Sequence, residues 1–209
     1  MELIHPSQHF NVIEPSIITD ALNFYKSQIN YDTITMKKSY PGPFSDIFKP
    51  YIEKVLLKNI VFCSGNFYSH YTPYLPHTDY KKHLNNYINV VIPLEYKGQL
   101  PHLIIFDQIW RYDSVTWCMH YPVYKFDINT GVKGCPYEYP VENLTSDIDL
   151  NLHNDYLNQY PKHCLKGLTG TTFPYLPTSL IIFDNRFIHG TANWLGHKTG
   201  ISLRYKTVE

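Results

Sequence analysis

Apolar side chains in the first 60 residues recur every three to four positions, the spacing that lines one face of a helix. Behind Pro15, which suits a helix start, Ile17, Ile18, Leu22, Phe24, Tyr25 and Ile29 form one such stripe. After the Pro41-Gly42-Pro43 break, Ile47, Phe48, Tyr51, Ile52, Val55 and Leu56 form a second. Ser45 or Asp46 is available to cap that helix, and Pro50 fits only within its first turn. From about Ile60 the period changes. The stretches 59–71, 87–96 and 102–110 are rich in β-branched and aromatic residues and read as strands. The run 179–183 is apolar after its first residue and follows Pro177, which predicts a buried strand, and 200–207 reads as the last one. Strands at these spacings, with few helices after residue 60, predict a mainly β double-sheet jelly roll, with the two leading helices packed on one sheet face.

Between residues 98 and 178, apart from the strand at His102, the chain is irregular and rich in Tyr, Pro, Asn and His, with one helix expected around 146–160. A loop region this long in a compact domain is functional or disordered. Its Trp110, Tyr112, Trp117, Tyr121 and Tyr124 argue against disorder and for a lid over a substrate pocket. The expected organisation is one domain over 1–209: helical support in 1–58, jelly-roll core in 60–96 and 177–207, and an insertion or lid in 98–176.

Charge narrows the partners. Lys plus Arg and Asp plus Glu both number 18, so no overall basic field favours nucleic acid or an anionic membrane, although a local basic groove stays open. No apolar run has membrane-spanning length. Cys63, Cys118, Cys135 and Cys164 show no Cys-x-x-Cys spacing, and no apolar signal segment opens the chain, so reduced thiols in a cytoplasmic protein are expected.

The chemistry centres on His77-Thr78-Asp79. Two residues apart on a strand, the imidazole and the carboxylate point to one face, where both can reach a single metal ion. His189, in the stretch after the 179–183 strand, offers the third ligand of a facial triad, the arrangement that non-haem Fe(II) oxygenases use. Such a triad leaves three octahedral positions for other ligands. His70, His83, His102 and His120 are expected to be structural, hydrogen-bonded histidines. Asn193 and Trp194 are placed to shape a pocket mouth, and Trp194 suits the core equally well.

In that order, His77-x-Asp79, the distal His189 and the basic residues near the last strand resemble the Fe(II)- and 2-oxoglutarate-dependent oxygenases over about residues 60–96 and 177–207. The resemblance implies a jelly-roll core, with His77, Asp79 and His189 holding Fe(II). It also implies 2-oxoglutarate and dioxygen as co-substrates, and oxidative decarboxylation coupled to hydroxylation or oxidative demethylation. No catalytic group beyond the metal ligands is expected. Family halogenases replace the triad carboxylate, so Asp79 points away from halogenation. The far carboxylate of the co-substrate needs a cation, which the family takes from a basic residue beyond the distal His. Here Lys198 stands nine and Arg204 fifteen residues on, and with Ser202 they share one strand parity. Lys198 with a Ser202 hydroxyl is the first choice, leaving Arg204 to face the near carboxylate or the substrate. Asn66 and Tyr68, eleven and nine residues before His77, resemble the Asn-x-Tyr pair that holds 2-oxoglutarate in the oxidative nucleic-acid demethylases. Two other readings stay open: a cupin-like metalloenzyme using another divalent ion without 2-oxoglutarate, and a metal-free jelly-roll module that binds a ligand. The substrate, a small molecule or a side chain, and the oligomeric state are not specified by these patterns.

Overall fold

A computed structural model describes residues 3–28, 37–71, 73, 76–79, 87–109, 115–118, 124–127, 133–134, 149–160, 162–165 and 168–208. Helix α1 spans Pro15–Ser27, with Pro15 in its first turn and Ile18, Ala21 and Tyr25 buried. Helix α2 spans Phe44–Leu56, and Pro43, not Ser45 or Asp46, precedes it. The sharp turn before it needs Gly42, whose φ of +58° lies in the left-handed region and whose missing Cβ leaves room for the Phe24 ring. Pro50 lies inside α2, not in its first turn. It sits on the exposed side with Asp46, where water can take the carbonyl bond that the ring denies.

The leading segment is not purely helical. Short strands β1 (Ser7–His9) and β2 (Lys37–Ser39) flank α1, each only three residues long and therefore too short to show a period. The longer strands follow: β3 (Asn59–His70), β4 (Tyr87–Gly98) and β5 (His102–Ile109). Next come the short β6 (Val115–Cys118), β7 (Tyr124–Asp127) and β8 (Lys133–Gly134). Helix α3 (Leu150–Tyr156) lies within the helix expected at 146–160, and the Asp149 carboxylate caps it by accepting from the N–H groups of Asn151 and Leu152. A single 3₁₀ turn and β9 (Gly170–Pro174), β10 (Leu180–Asp184), β11 (Phe187–Thr191) and β12 (Gly196–Val208) complete the order.

These strands form the double-stranded β-helix, or jelly roll. One antiparallel sheet runs β1-β10-β4-β12-β3-β2, a second runs β11-β5-β9, and β6-β7-β8 make a small third sheet. Alternation along the strands sorts side chains into layers. Ile88, Val90, Ile92 and Leu94 of β4, with Leu180 and Ile182 of β10 and Ile201, Leu203 and Tyr205 of β12, pack under α1 and α2. The intervening Val91, Ile181 and Phe183 face Leu103, Ile105, Ile109 and Phe187 of the second sheet. The outer face of that sheet, Ile104, Phe106 and Ile188, is covered by Leu152, Leu157, Tyr160 and Leu165. Both faces of the large sheet are therefore covered, which is why β10 reads as an unbroken apolar run. Each fully buried Ile or Phe contributes roughly 1.5–3 kcal/mol to this stacking.

Within the insertion expected over 98–176, β9 joins the anticipated strand at His102 (β5) in the second sheet. Trp110, Tyr112, Tyr121, His83 and His120, and the side chains of Trp117 and Tyr124, lie outside the described residues. The last strand begins at Gly196, earlier than residue 200, which carries Lys198 into the sheet.

Candidate metal centre

Two elements bring the triad together. His77 pairs with His189 on β11 in an isolated antiparallel bridge, each backbone N–H donating to the other's carbonyl at 2.8 Å. That pairing sets their rings 4.2 Å apart between centroids. Asp79, two residues on, returns to the same face. Its Oδ1 lies 3.9 Å from His77 Nε2 and its Oδ2 3.6 Å from His189 Nε2, and one ligand atom of each residue falls within 4.8 Å of the others. His189 Nδ1 lies 3.1 Å from the Phe187 carbonyl, so the proton sits there and Nε2 turns a lone pair toward the centre.

The electrostatics agree with that protonation. Burial pushes the His189 imidazole down to about 3, with His77 adding to the effect, so the ring is neutral at physiological pH. Burial alone would raise the Asp79 carboxyl, but the positive field of its neighbours, Arg204 foremost, outweighs it and holds the group well below the usual carboxylate range. Two imidazoles and one carboxylate in a small cluster form a donor set suited to a divalent first-row ion.

All eight residues expected to hold the metal or the co-substrate, His77, Asp79, His189, Lys198, Ser202, Arg204, Asn66 and Tyr68, line one cavity of about 150 Å³. Across the large sheet, Asn66 of β3, Ser202 of β12 and Val91 of β4 lie side by side, as do Ser64, Arg204 and Asn89. Arg204 Nη2 lies 2.9 Å from Asp79 Oδ2, so the guanidinium is engaged by the triad carboxylate while it borders the cavity. His70 lines the same cavity.

Lys198 also borders this cavity and is 4 % exposed. Its Nζ lies 4.8 Å from the Trp194 ring and 5.1 Å from the Tyr175 ring, with no carboxylate paired to it among the described residues. Burial pulls its ammonium down to about 7. The Tyr175 hydroxyl donates to the Tyr68 hydroxyl at 2.9 Å. Gly200 makes that pair possible, because a Cβ there would overlap the Tyr175 oxygen. Asn66 donates to the Phe67 carbonyl at 3.2 Å. Trp194 belongs to the buried wall, and Asn193 turns away to bond Asn158. Sequence reasoning missed Asn89, which donates to Asp79 Oδ2 at 3.1 Å, and Tyr175. Asn89 had a signal, as a single amide in the otherwise apolar run from Ile88 to Leu94, whereas Tyr175 follows β9 with none.

No protein-family model matches the chain, and no curated protein matches its sequence. Solved structures do resemble it. The epimerase SnoN of nogalamycin biosynthesis, solved with Fe³⁺, α-ketoglutarate and nogalamycin RO, superposes with a TM-score of 0.57 at 9% identity, over 97% of this chain and 79% of that one. The α-ketoglutarate-dependent carbocyclase SnoK of the same biosynthesis gives 0.54 at 10%, over 97% and 79%. HygX from Streptomyces hygroscopicus, with nickel, 2-oxoglutarate and hygromycin B bound, gives 0.52 at 7%, over 98% and 83%. This likeness is one of fold. It confirms the jelly roll expected from the sequence and its kinship in shape with the 2-oxoglutarate enzymes. Among the described residues no helix is long and apolar enough to cross a membrane.

Proposed function

We propose that the protein is an Fe(II)- and 2-oxoglutarate-dependent oxygenase that hydroxylates, or oxidatively demethylates, a small molecule or an exposed side chain. The observation that carries this reading is a triad donor set and a buried, uncompensated ammonium in one small cavity. A buried cation without a counter-charge is costly unless a ligand supplies one. A dicarboxylate reaching from the triad to Lys198 does so.

His77, Asp79 and His189 would hold Fe(II), which would supply the coupled oxidation of 2-oxoglutarate to succinate and carbon dioxide and of a substrate C–H bond to an alcohol, one atom of dioxygen going to each. The protein's share is positional. Lys198 takes the far carboxylate, with hydroxyl bonds from Tyr68 and Ser202 and a carboxamide from Asn66. Val91 and Leu103 line the same cavity with apolar surface that excludes water. About 150 Å³ is below the roughly 300–1,000 Å³ of drug-sized sites and suits a small dicarboxylate. The shape neighbours include an epimerase and a carbocyclase, so the frame accommodates other oxidative outcomes, and Asp79 in the triad argues against halogenation here. Cys63, a free and exposed thiol, supports a reducing compartment such as the cytoplasm.

The test is succinate formation and dioxygen uptake with Fe(II) and 2-oxoglutarate, measured against a candidate substrate panel. The reading requires 2-oxoglutarate-dependent succinate that vanishes in a His189→Ala protein. Binding of a divalent ion with no response to 2-oxoglutarate would instead favour the cupin-like enzyme, and no metal binding at all would favour the ligand-binding module. Gly200→Ala gives a finer check. The added methyl must displace the Tyr175 hydroxyl, an overpacking that costs about 1–3 kcal/mol, so 2-oxoglutarate affinity should fall roughly tenfold while metal affinity holds. Calorimetric titration of both ligands reads the two effects separately.

A further inference from the structure

Strand β4 is buried from Ile88 to Leu94, and within that run only Asn89 carries a polar side chain. It is 1 % exposed. A carboxamide in such a setting weakens the fold unless something it binds requires it. Asn89 Nδ2 donates to Asp79 Oδ2 at 3.1 Å, and Arg204, its register partner on β12, donates to the same oxygen at 2.9 Å. Each of the two is otherwise incompletely satisfied: Asn89 Oδ1 and Arg204 Nε are both buried without a partner. A network built for stability would not leave two such atoms unpaired. The common object of both groups is one oxygen of one carboxylate.

The geometry of that shared oxygen has a chemical consequence. A carboxylate oxygen that accepts two donors has both in-plane lone pairs engaged, whereas Asp79 Oδ1 accepts no hydrogen bond from the described residues and lies 3.9 Å from His77 Nε2. An arginine facing a carboxylate alone tends to form a two-pronged fork that takes both oxygens. With Asn89 holding Oδ2 from β4, the carboxylate is turned so that Arg204 reaches the same atom only.

We propose that Asn89 is a positioning residue which, with Arg204, occupies Oδ2 of Asp79 and leaves Oδ1 as the oxygen offered to a divalent ion. The proposal rests on the reading of His77, Asp79 and His189 as a metal centre. Loss of Asn89 frees the carboxylate to rotate into the arginine fork, and the third ligand is then shared with a cation.

Spectroscopic titration of the metal-free protein with Co(II) tests this without turnover. An Asn89→Leu protein, close in shape and unable to donate, should bind Co(II) about ten- to a hundredfold more weakly, with a changed visible spectrum. Its metal-free melting temperature should match or exceed that of the parent. Affinity within twofold of the parent, or a fall in affinity matched by a fall in metal-free stability, would overturn the proposal. If the leucine variant does not fold, Asn89→Ser, which withdraws the donor by shortening the side chain, is judged by the same two readouts. Failure of the parent protein itself to bind Co(II) would sink the metal centre, and is thereby distinct from failure of the Asn89 proposal.

Discussion

Asp79→Ala is expected to lower Fe(II) affinity by at least about a thousandfold and to abolish 2-oxoglutarate-dependent dioxygen uptake, since even outer-shell changes cost ten- to a hundredfold. Asp79 is the one carboxylate of the three, so its removal leaves two imidazoles beside the positive Arg204. A cation entering that site would meet uncompensated repulsion at close range. Metal-free stability should also change. Arg204 and Asn89 both lose their acceptor, which costs about 1–3 kcal/mol for buried polar groups left unpaired. Asp79→Asn keeps the shape and one acceptor oxygen, so it should recover part of the stability and little of the metal affinity. Iron content after desalting, read beside thermal unfolding of the metal-free proteins, separates the two effects. An Asp79→Ala protein that retains stoichiometric iron would contradict the assignment.

Lys198→Met is expected to weaken 2-oxoglutarate binding by roughly 10²–10³-fold, within the 2–5 kcal/mol typical of breaking a desolvated charge pair. Fe(II) affinity should stay unchanged, because Lys198 is not part of the triad cluster. The same substitution reports on pH. Burial pulls the folded-state ammonium down to about 7, while an unfolded lysine titrates near 10.4. Between those values the unfolded chain binds the extra proton, so stability of the metal-free protein rises with pH across that window. Below about pH 7 the penalty is fully present, and above about pH 10 it is gone. The melting temperature of the parent relative to Lys198→Met should therefore climb from pH 7 to pH 10. Saturating 2-oxoglutarate should flatten that climb by giving the ammonium its counter-charge. A flat difference without ligand would place Lys198 in water and remove the argument for a distal carboxylate site.

Much of this arrangement was legible before any coordinates, for reasons that differ by element. The stripes of α1 and α2 and the β-branched runs of β3, β4 and β5 are long enough to show a period. The unbroken apolar run of β10 announced cover on both faces. Strands β1 and β2 are too short for a pattern, while β9 and β11 contain Gly170, Pro174 and Gly190, which read as breaks. Their strand character comes from pairing with β5, a tertiary effect invisible in local sequence. That is why His189 reads as following a strand when it lies on one.

The site followed the same division. Spacing alone put His77, Asp79, His189, Lys198 and Ser202 on compatible faces, and the sheets carry them to one cavity. Spacing could not say what Arg204 would touch, because its partner Asp79 lies more than a hundred residues away on another element. Tyr175 acts through a contact of the same long range, to Tyr68, whereas Asn89 meets Asp79 only ten residues back, through the pairing of the sheets.

The central claim is that one cavity holds Fe(II) at the triad and 2-oxoglutarate between the triad and Lys198. Its most direct test is anaerobic titration of the metal-free protein with Fe(II) and then 2-oxoglutarate, followed in the visible range. A weak charge-transfer band should appear only with both present, vanish in His77→Ala and Asp79→Ala proteins, and require far more 2-oxoglutarate in Lys198→Met. No band and no retained iron in the parent protein would contradict the claim.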